Sequence, residues 1–149
     1  MQDRTRRTCS LINKEPFRIP VRVYYQDTDA GGVVFHGQYL DFMERARTEL
    51  LNEAGFDLAA LARDQRLMFL VFHISIKYHR AARLNERLGV TAEVATMGRA
   101  SVVFRQRVER GTELLVEADI TLALVDCDRM RPARFPAQLA QELERALKK

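Results

Sequence analysis

The stretch QYLDFMERARTELLNEA, Gln38 to Ala54, reads as a helix of about four to five turns. Leu40, Met43, Leu50, Leu51 and Ala54 recur at helical spacing, and only Arg47 breaks the apolar set. Asp41 falls in the first turn, where a negative charge suits the helix dipole. Gly55 follows the last turn as a C-terminal stop. Everything else in the chain reads mainly as strand, so this helix decides the fold class.

Working outward, RIPVRVYY (18–25) predicts a short strand rich in β-branched and aromatic residues. After the helix, residues 56–67 read as a connection that admits a helical turn at LAALAR. Four strands then follow, at 68–78, 87–97, 101–110 and 113–126. The first half of MFLVFHISIKY (68–78) is apolar on both faces, which points to burial on both sides or to an interface. The links at Gly98 and Gly111 are short, so the strands they join pair antiparallel. Pro136 opens a closing helix whose stripe is Leu139, Leu143, Ala146 and Leu147. One long helix and one antiparallel sheet make an α+β plan, with the helix covering one sheet face.

Composition narrows the function classes. A chain of 149 residues suits one domain, here expected over residues 17–149 after a flexible arm over 1–16. Apolar residues at 47% and charged residues at 30% match a soluble globular protein. No apolar run reaches the roughly 18 residues of a membrane span. The net charge of +4 is spread along the chain, without zinc-finger spacing or an aromatic-rich RNA-binding signature, so a nucleic-acid partner is not expected. Cys9 and Cys127 make no disulfide framework. The basic start MQDRTRRTCSLINKEP lacks an apolar segment and does not read as a secretory signal, so a cytoplasmic location is expected.

The segment QDTDAGGVVFHGQYL (26–40), which runs into the helix, admits four readings. DTDAGG resembles the start of a calcium loop, but position 12, counted from Asp27, is Gln38 where a bidentate glutamate is needed. His36, His73, His79 and the cysteines lack zinc spacing, so no metal is expected. Gly31-Gly32 before a helix can cradle an anion, but neither nucleotide-binding glycine signature is present. Asp, Thr and Gly are also ordinary turn residues. The fourth reading is catalytic. A carboxylate beside a helix start has free backbone N–H groups within reach, and these can hold the oxygen of a polarised carbonyl. The carboxylate can attack that carbonyl or deprotonate a water that does. This pairing suits ester or thioester hydrolysis without metal or cofactor.

PVRVYYQDTDAGGVVFHGQYLDFMERARTELL resembles the signature of the hotdog-fold acyl-CoA thioesterases. It resembles the 4-hydroxybenzoyl-CoA thioesterase group and, within it, the Tol-Pal-associated YbgC-type branch. Weaker echoes are AARLNERLGV, GRASVVF and RPARFP, so the likeness spans about residues 18 to 136. The resemblance implies an antiparallel sheet wrapped around the long helix. It also implies pairing into a homodimer or a tetramer, with acyl-CoA as substrate and no cofactor. Asp29 takes the position of the catalytic nucleophile or general base. The backbone N–H near His36 polarises the carbonyl, and the His36 ring matches the pattern as a second catalytic group. Asp27 is expected to hold the turn through Asx-type hydrogen bonds.

Tyr25 is a candidate pocket residue, with a core position as the plainer alternative. Gly32 lets substrate approach the backbone. Arg80, Arg83 and Arg99 are loop cations for the phosphates of coenzyme A, with solvated surface charge as the plainer reading. Ser101 joins Arg99 in the GRAS segment as a substrate-binding candidate. His73 and His79 read as a sheet-face and a loop residue, and Glu44 and Arg45 as structural. Two alternatives stand beside the leading reading: hydrolysis of acyl carrier protein thioesters, and a non-catalytic module of a cell-envelope complex.

Overall fold

The computed structural model describes residues 15–147, so the expected arm over 1–16, with Cys9, lies outside the described residues except for its last two positions. The elements in chain order are β1 (Phe17–Arg22), a 3-10 turn (Tyr25–Asp27), α1 (Gln38–Glu53), α2 (Leu58–Gln65), β2 (Leu67–Tyr78), β3 (Arg87–Met97), β4 (Ser101–Arg110), β5 (Glu113–Asp126), β6 (Arg131–Pro132) and α3 (Ala137–Arg145). The strands form one antiparallel sheet in the order β1-β3-β4-β5-β2, with β6 also on β5. Helix α1 packs on β1, β3 and β4. This is the hotdog arrangement, a sheet curled around a long helix. No helix among the described residues is long and apolar enough to cross a membrane.

Three elements differ from expectation. The first strand stops at Arg22 instead of Tyr25, because residues 25–27 close a 3-10 turn through the Asp27 N–H to Tyr24 O bond of 2.9 Å. The connection over 56–67 holds a full helix, α2, and Asp57 caps it by accepting from the Ala59 and Ala60 N–H groups. Strand β6 was not expected. Its two residues are too few to show periodicity, and Pro132 fits there because a proline on a short outer strand needs no ladder donor.

The inward line of α1 is Tyr39, Phe42, Met43, Ala46, Arg47 and Leu51. Leu40, Leu50 and Ala54 flank this line and are only half-buried. The aromatic rings of Tyr39 and Phe42, not Leu40 or Leu50, face the sheet. Phe42, Met43 and Ala46 share one core with Val90, Val94, Phe104 and Val108, all fully buried. Burying such side chains contributes about 1.5–3 kcal/mol for each large one.

Arg47 belongs to that inward line because Gln106 receives it. Arg47 Nη1 donates to Gln106 Oε1 at 2.9 Å. Gln106 Nε2 donates to the Met43 carbonyl at 2.9 Å and to the Thr91 carbonyl at 3.0 Å. Burial pushes the Arg47 guanidinium pKa down from its usual value, while the nearby Glu44 charge opposes the shift.

Strand β2 is an edge of the sheet. Of the two options for its doubly apolar half, the chain does not bury it on both sides. Leu70, Val71, Phe72 and Ile74 are exposed, Phe72 by 63%, and the pairing with β5 slips between Val71 and His73.

Replacing Gln106 by alanine leaves the Arg47 charge buried without its acceptor. Chemical denaturation of Gln106→Ala is expected to show a loss of about 2–4 kcal/mol. A midpoint equal to that of the unaltered protein would contradict this role.

Candidate active site

The segment between β1 and α1 is a hairpin fastened at several points. Val23 exchanges backbone bonds with the loop before β3, through Val23 N–H to Glu86 O and Asn85 N–H to Val23 O, both 2.9 Å. Asp27 is buried, and its Oδ2 accepts the Tyr24 N–H at 2.8 Å. The Asp27 carbonyl accepts the Phe35 N–H at 2.9 Å. Thr28 bridges Val34 across the hairpin, and Val33 bridges Arg83 on its outer side. Val34 N–H reaches the Ala82 carbonyl at 2.9 Å.

Asp29 sits at the tip. Its N–H donates to Val33 O at 2.9 Å, and its carbonyl accepts from Gly32 N–H at 3.0 Å. Its Oδ1 accepts the Gly31 N–H at 2.8 Å, the Asx-type bond. The expected Asx role therefore falls on Asp29, while Asp27 turns inward and closes the preceding turn. The two glycines suit the turn for different reasons. Gly32 has a φ of +78°, a left-handed conformation that L residues rarely adopt. A Cβ on Gly31 would lie 3.1 Å from Asp29 Oδ1. Asp29 is exposed, and its second carboxylate oxygen has no protein hydrogen bond among the described residues. The two acids point to different places and do not form a shared cation site. No group of three or more metal-ligating side chains occurs among the described residues.

The second arm of the hairpin delivers the start of α1. Gln38 N–H donates to Phe35 O at 2.9 Å, and Leu40 N–H to Gly37 O at 3.1 Å. The backbone N–H groups of His36 and Gly37 have no backbone acceptor among the described residues, and no side chain caps this end. Such orphan donors carry the partial positive charge of the helix start. The His36 ring is exposed and tilts against Phe35, centroids 4.3 Å apart. Asp29, His36 and Gly32 are thus brought together on one hairpin.

The other candidates are placed differently. Tyr25 is 82% exposed, so it is not a core tyrosine of this chain. Arg22 pairs with Arg87 at the beginning of β3, which sets the hairpin at that end of the sheet. Arg99 and Ser101 follow the other end of β3, whose 11 residues span roughly 35 Å. One chain therefore does not bring Arg99 and Ser101 to Asp29. Their backbones are tied locally, Arg99 O to Phe135 N–H at 3.0 Å and Ser101 O to Gly98 N–H at 2.8 Å. Arg83 pairs its backbone with the hairpin, whereas Arg80 lies 3.5 Å from Glu113 and His79 lies 3.5 Å from Glu117. His73 is exposed on the edge strand β2.

Two tyrosines escaped the sequence reading. Tyr78 Oη donates to the His36 carbonyl at 2.8 Å, and Tyr39 Oη accepts the Ala82 N–H at 3.0 Å. Their rings meet edge to face with centroids 5.9 Å apart. Burial raises both phenol pKa values above the ordinary value, so both stay protonated at neutral pH. No local pattern marks Tyr78, which lies 42 positions from His36.

A family model described as the thioesterase superfamily matches residues 31–117. The chain is 46% identical over 123 residues to the acyl-CoA thioesterase YbgC of Haemophilus influenzae, covering 83% of this chain and 90% of that protein. It is 41% identical over 134 residues to the acyl-CoA thioester hydrolase YbgC of Escherichia coli O157:H7, covering 89% and 99%. Among solved structures, a probable thioesterase from Bartonella henselae superposes with a TM-score of 0.78 at 33% identity, covering 82% of this chain and all of that one. A 1,4-dihydroxy-2-naphthoyl-CoA thioesterase from Synechocystis superposes with a TM-score of 0.80 at 20% identity, over 87% and 96% of the two chains, a likeness of fold alone.

The left-handed backbone at Gly32 gives a stability prediction. Gly32→Ala is expected to lower the unfolding free energy by about 1–2 kcal/mol, and Gly32→Asn by less, because asparagine tolerates this region better. Denaturant titration checks the order. Equal losses, or none, would contradict it.

Proposed function

The chain belongs to the thioesterase superfamily, and from that premise we propose that the 27–36 hairpin and the start of α1 carry out its hydrolysis. The substrate is an acyl-CoA thioester, and the products are the free acid and coenzyme A. The observation that carries the assignment of residues is the exposed Asp29 carboxylate on the same short hairpin as the His36 N–H, which has no acceptor among the described residues.

The thioester carbonyl oxygen accepts the His36 N–H, which is worth most when negative charge develops on that oxygen. Asp29 then acts on the carbonyl carbon. It either attacks directly, expelling the thiolate and leaving an anhydride that water cleaves, or takes a proton from the water that attacks. In both cases the carbon–sulfur bond breaks and the sulfur leaves on coenzyme A. The bond from Asp29 Oδ1 to Gly31 N–H holds the carboxylate in place and leaves Oδ2 for the reaction. The exposed His36 ring stands beside the same carbonyl position, where it orients water or substrate.

The working unit is proposed to be a homodimer joined through β2. Among the described residues β2 is an edge strand, and with Leu70, Val71, Phe72 and Ile74 exposed it favours pairing with a second copy. Two-fold pairing of β2 sets the Tyr78 end of one strand beside the Leu67 end of the other. The partner's Arg99 and Ser101 then approach the first chain's hairpin, where a cation meets the phosphates of coenzyme A. A tetramer is a pair of such dimers. A cytoplasmic location is part of this proposal.

A panel of acyl-CoA thioesters followed with a thiol reagent tests the reading. Asp29→Asn is expected to lower kcat by about 100-fold or more. The same acyl groups on acyl carrier protein tell the two carriers apart. Absence of hydrolysis on every acyl-CoA, or equal rates in the variant, would contradict the assignment.

A further inference from the structure

We infer that Tyr78 is a positioning residue for the reaction: its hydroxyl orients the His36–Gly37 peptide so that the Gly37 N–H joins the His36 N–H as a second donor to the thioester oxygen. This rests on the reading of the helix start as the carbonyl-polarising site.

The geometry follows from the planarity of the peptide unit. In a trans peptide the C=O of one residue and the N–H of the next point in opposite directions. The chain has no cis peptide among the described residues. The Tyr78 hydroxyl donates to the His36 carbonyl at 2.8 Å, so the Gly37 N–H is aimed away from Tyr78. The preceding peptide is held in the same manner, because the Phe35 carbonyl accepts the Gln38 N–H at 2.9 Å. Two consecutive peptides thus have committed carbonyls, while their own N–H groups have no backbone acceptor among the described residues. Successive N–H groups of this kind form an anion-binding concavity. A hydrogen bond to a peptide carbonyl also makes the N–H of that peptide a stronger donor.

The tyrosine is itself well held. Tyr78 ends β2 and pairs with Val116 of β5. Its ring rests edge to face on Tyr39 of α1, whose hydroxyl takes the Ala82 N–H. The strand and the Tyr39 ring thus hold the Tyr78 ring, and the loop at Ala82 holds Tyr39 in turn. Packing alone does not require the Tyr78 hydroxyl, since the ring is 47% exposed and phenylalanine would supply the same contact with Tyr39. Gly37 completes the arrangement. A Cβ there would stand 2.8 Å from the Phe35 ring, so a side chain would displace the ring beside the open N–H.

Tyr78→Phe removes the donor and keeps the ring. Losing a whole oxyanion donor costs about 100- to 1000-fold in kcat, so losing its orientation is expected to cost about tenfold. KM should stay within about twofold, with kcat referred to the concentration of folded protein so that partial unfolding does not count as a loss. The Gly37 amide proton, followed by NMR in the folded protein, should move upfield in Tyr78→Phe. With 3-fluorotyrosine at position 78, a stronger donor on the same ring, it should move downfield, and this second variant serves if Tyr78→Phe does not fold. A kcat for Tyr78→Phe within about twofold of wild type, or a Gly37 amide unmoved by the fluorinated residue, would overturn the inference. Asp29→Asn in the same assay separates the two readings. If it is inactive while Tyr78→Phe is not impaired, only the role of Tyr78 fails. If it is fully active, the site itself is misassigned.

Discussion

The site depends on where the first turn of α1 is held. A helix start carries orphan N–H groups wherever it lies. They become useful only when fixed against a neighbouring reactive group. Here the Thr28–Val34 bridge ties the turn bearing Asp29 to the segment entering the helix, so acid and donors share one rigid hairpin. The hairpin is in turn stitched to the 82–86 loop by Val34, Val33 and Val23, and to β2 by Tyr78. Neither arm can shift without breaking bonds to the sheet.

The depth and the rotation of α1 have different causes. Depth comes from burial of Phe42, Met43 and Ala46, an apolar gain of several kcal/mol that outweighs any single hydrogen bond. Rotation needs a directional contact, and the Gln106 clamp supplies it. Its amide holds the Met43 carbonyl on the helix and the Thr91 carbonyl on the sheet, while Arg47 donates to its oxygen. An apolar contact tolerates a slip around the helix axis. A buried guanidinium with one acceptor does not, because the slip would leave it unsatisfied. About two and a half turns separate Gln38 from Arg47, so this clamp also sets the angle at which the helix start meets the hairpin.

Local patterns made much of this legible. The strands over 68–126 and the bounds of α1 follow from periodicity and from Gly55, because burial in a sheet enforces alternation and a glycine stop is local. The Asp-Thr-Asp-Ala-Gly-Gly turn announced itself by composition, and its resemblance to a known signature directed attention to Asp29. What stayed hidden is what depends on contacts distant in sequence. Arg47 looked like a break in an apolar stripe because its acceptor, Gln106, lies 59 positions away. Tyr78 looked like the end of a strand because its acceptor is on another element. The two acids of the turn differ only in three dimensions, where Asp27 points inward and Asp29 outward. Arg99 and Ser101 looked like neighbours of the site, but the length of β3 separates them from it within one chain.

A crystal structure of Asp29→Asn with an intact acyl-CoA tests the central claim most directly, because the substitution keeps the shape of the turn while halting the reaction. The thioester carbonyl oxygen should lie about 3 Å from the His36 N–H, with its carbon facing the residue 29 side chain. A thioester bound firmly but more than roughly 6 Å from residue 29, with its oxygen turned away from the start of α1, would contradict the claim.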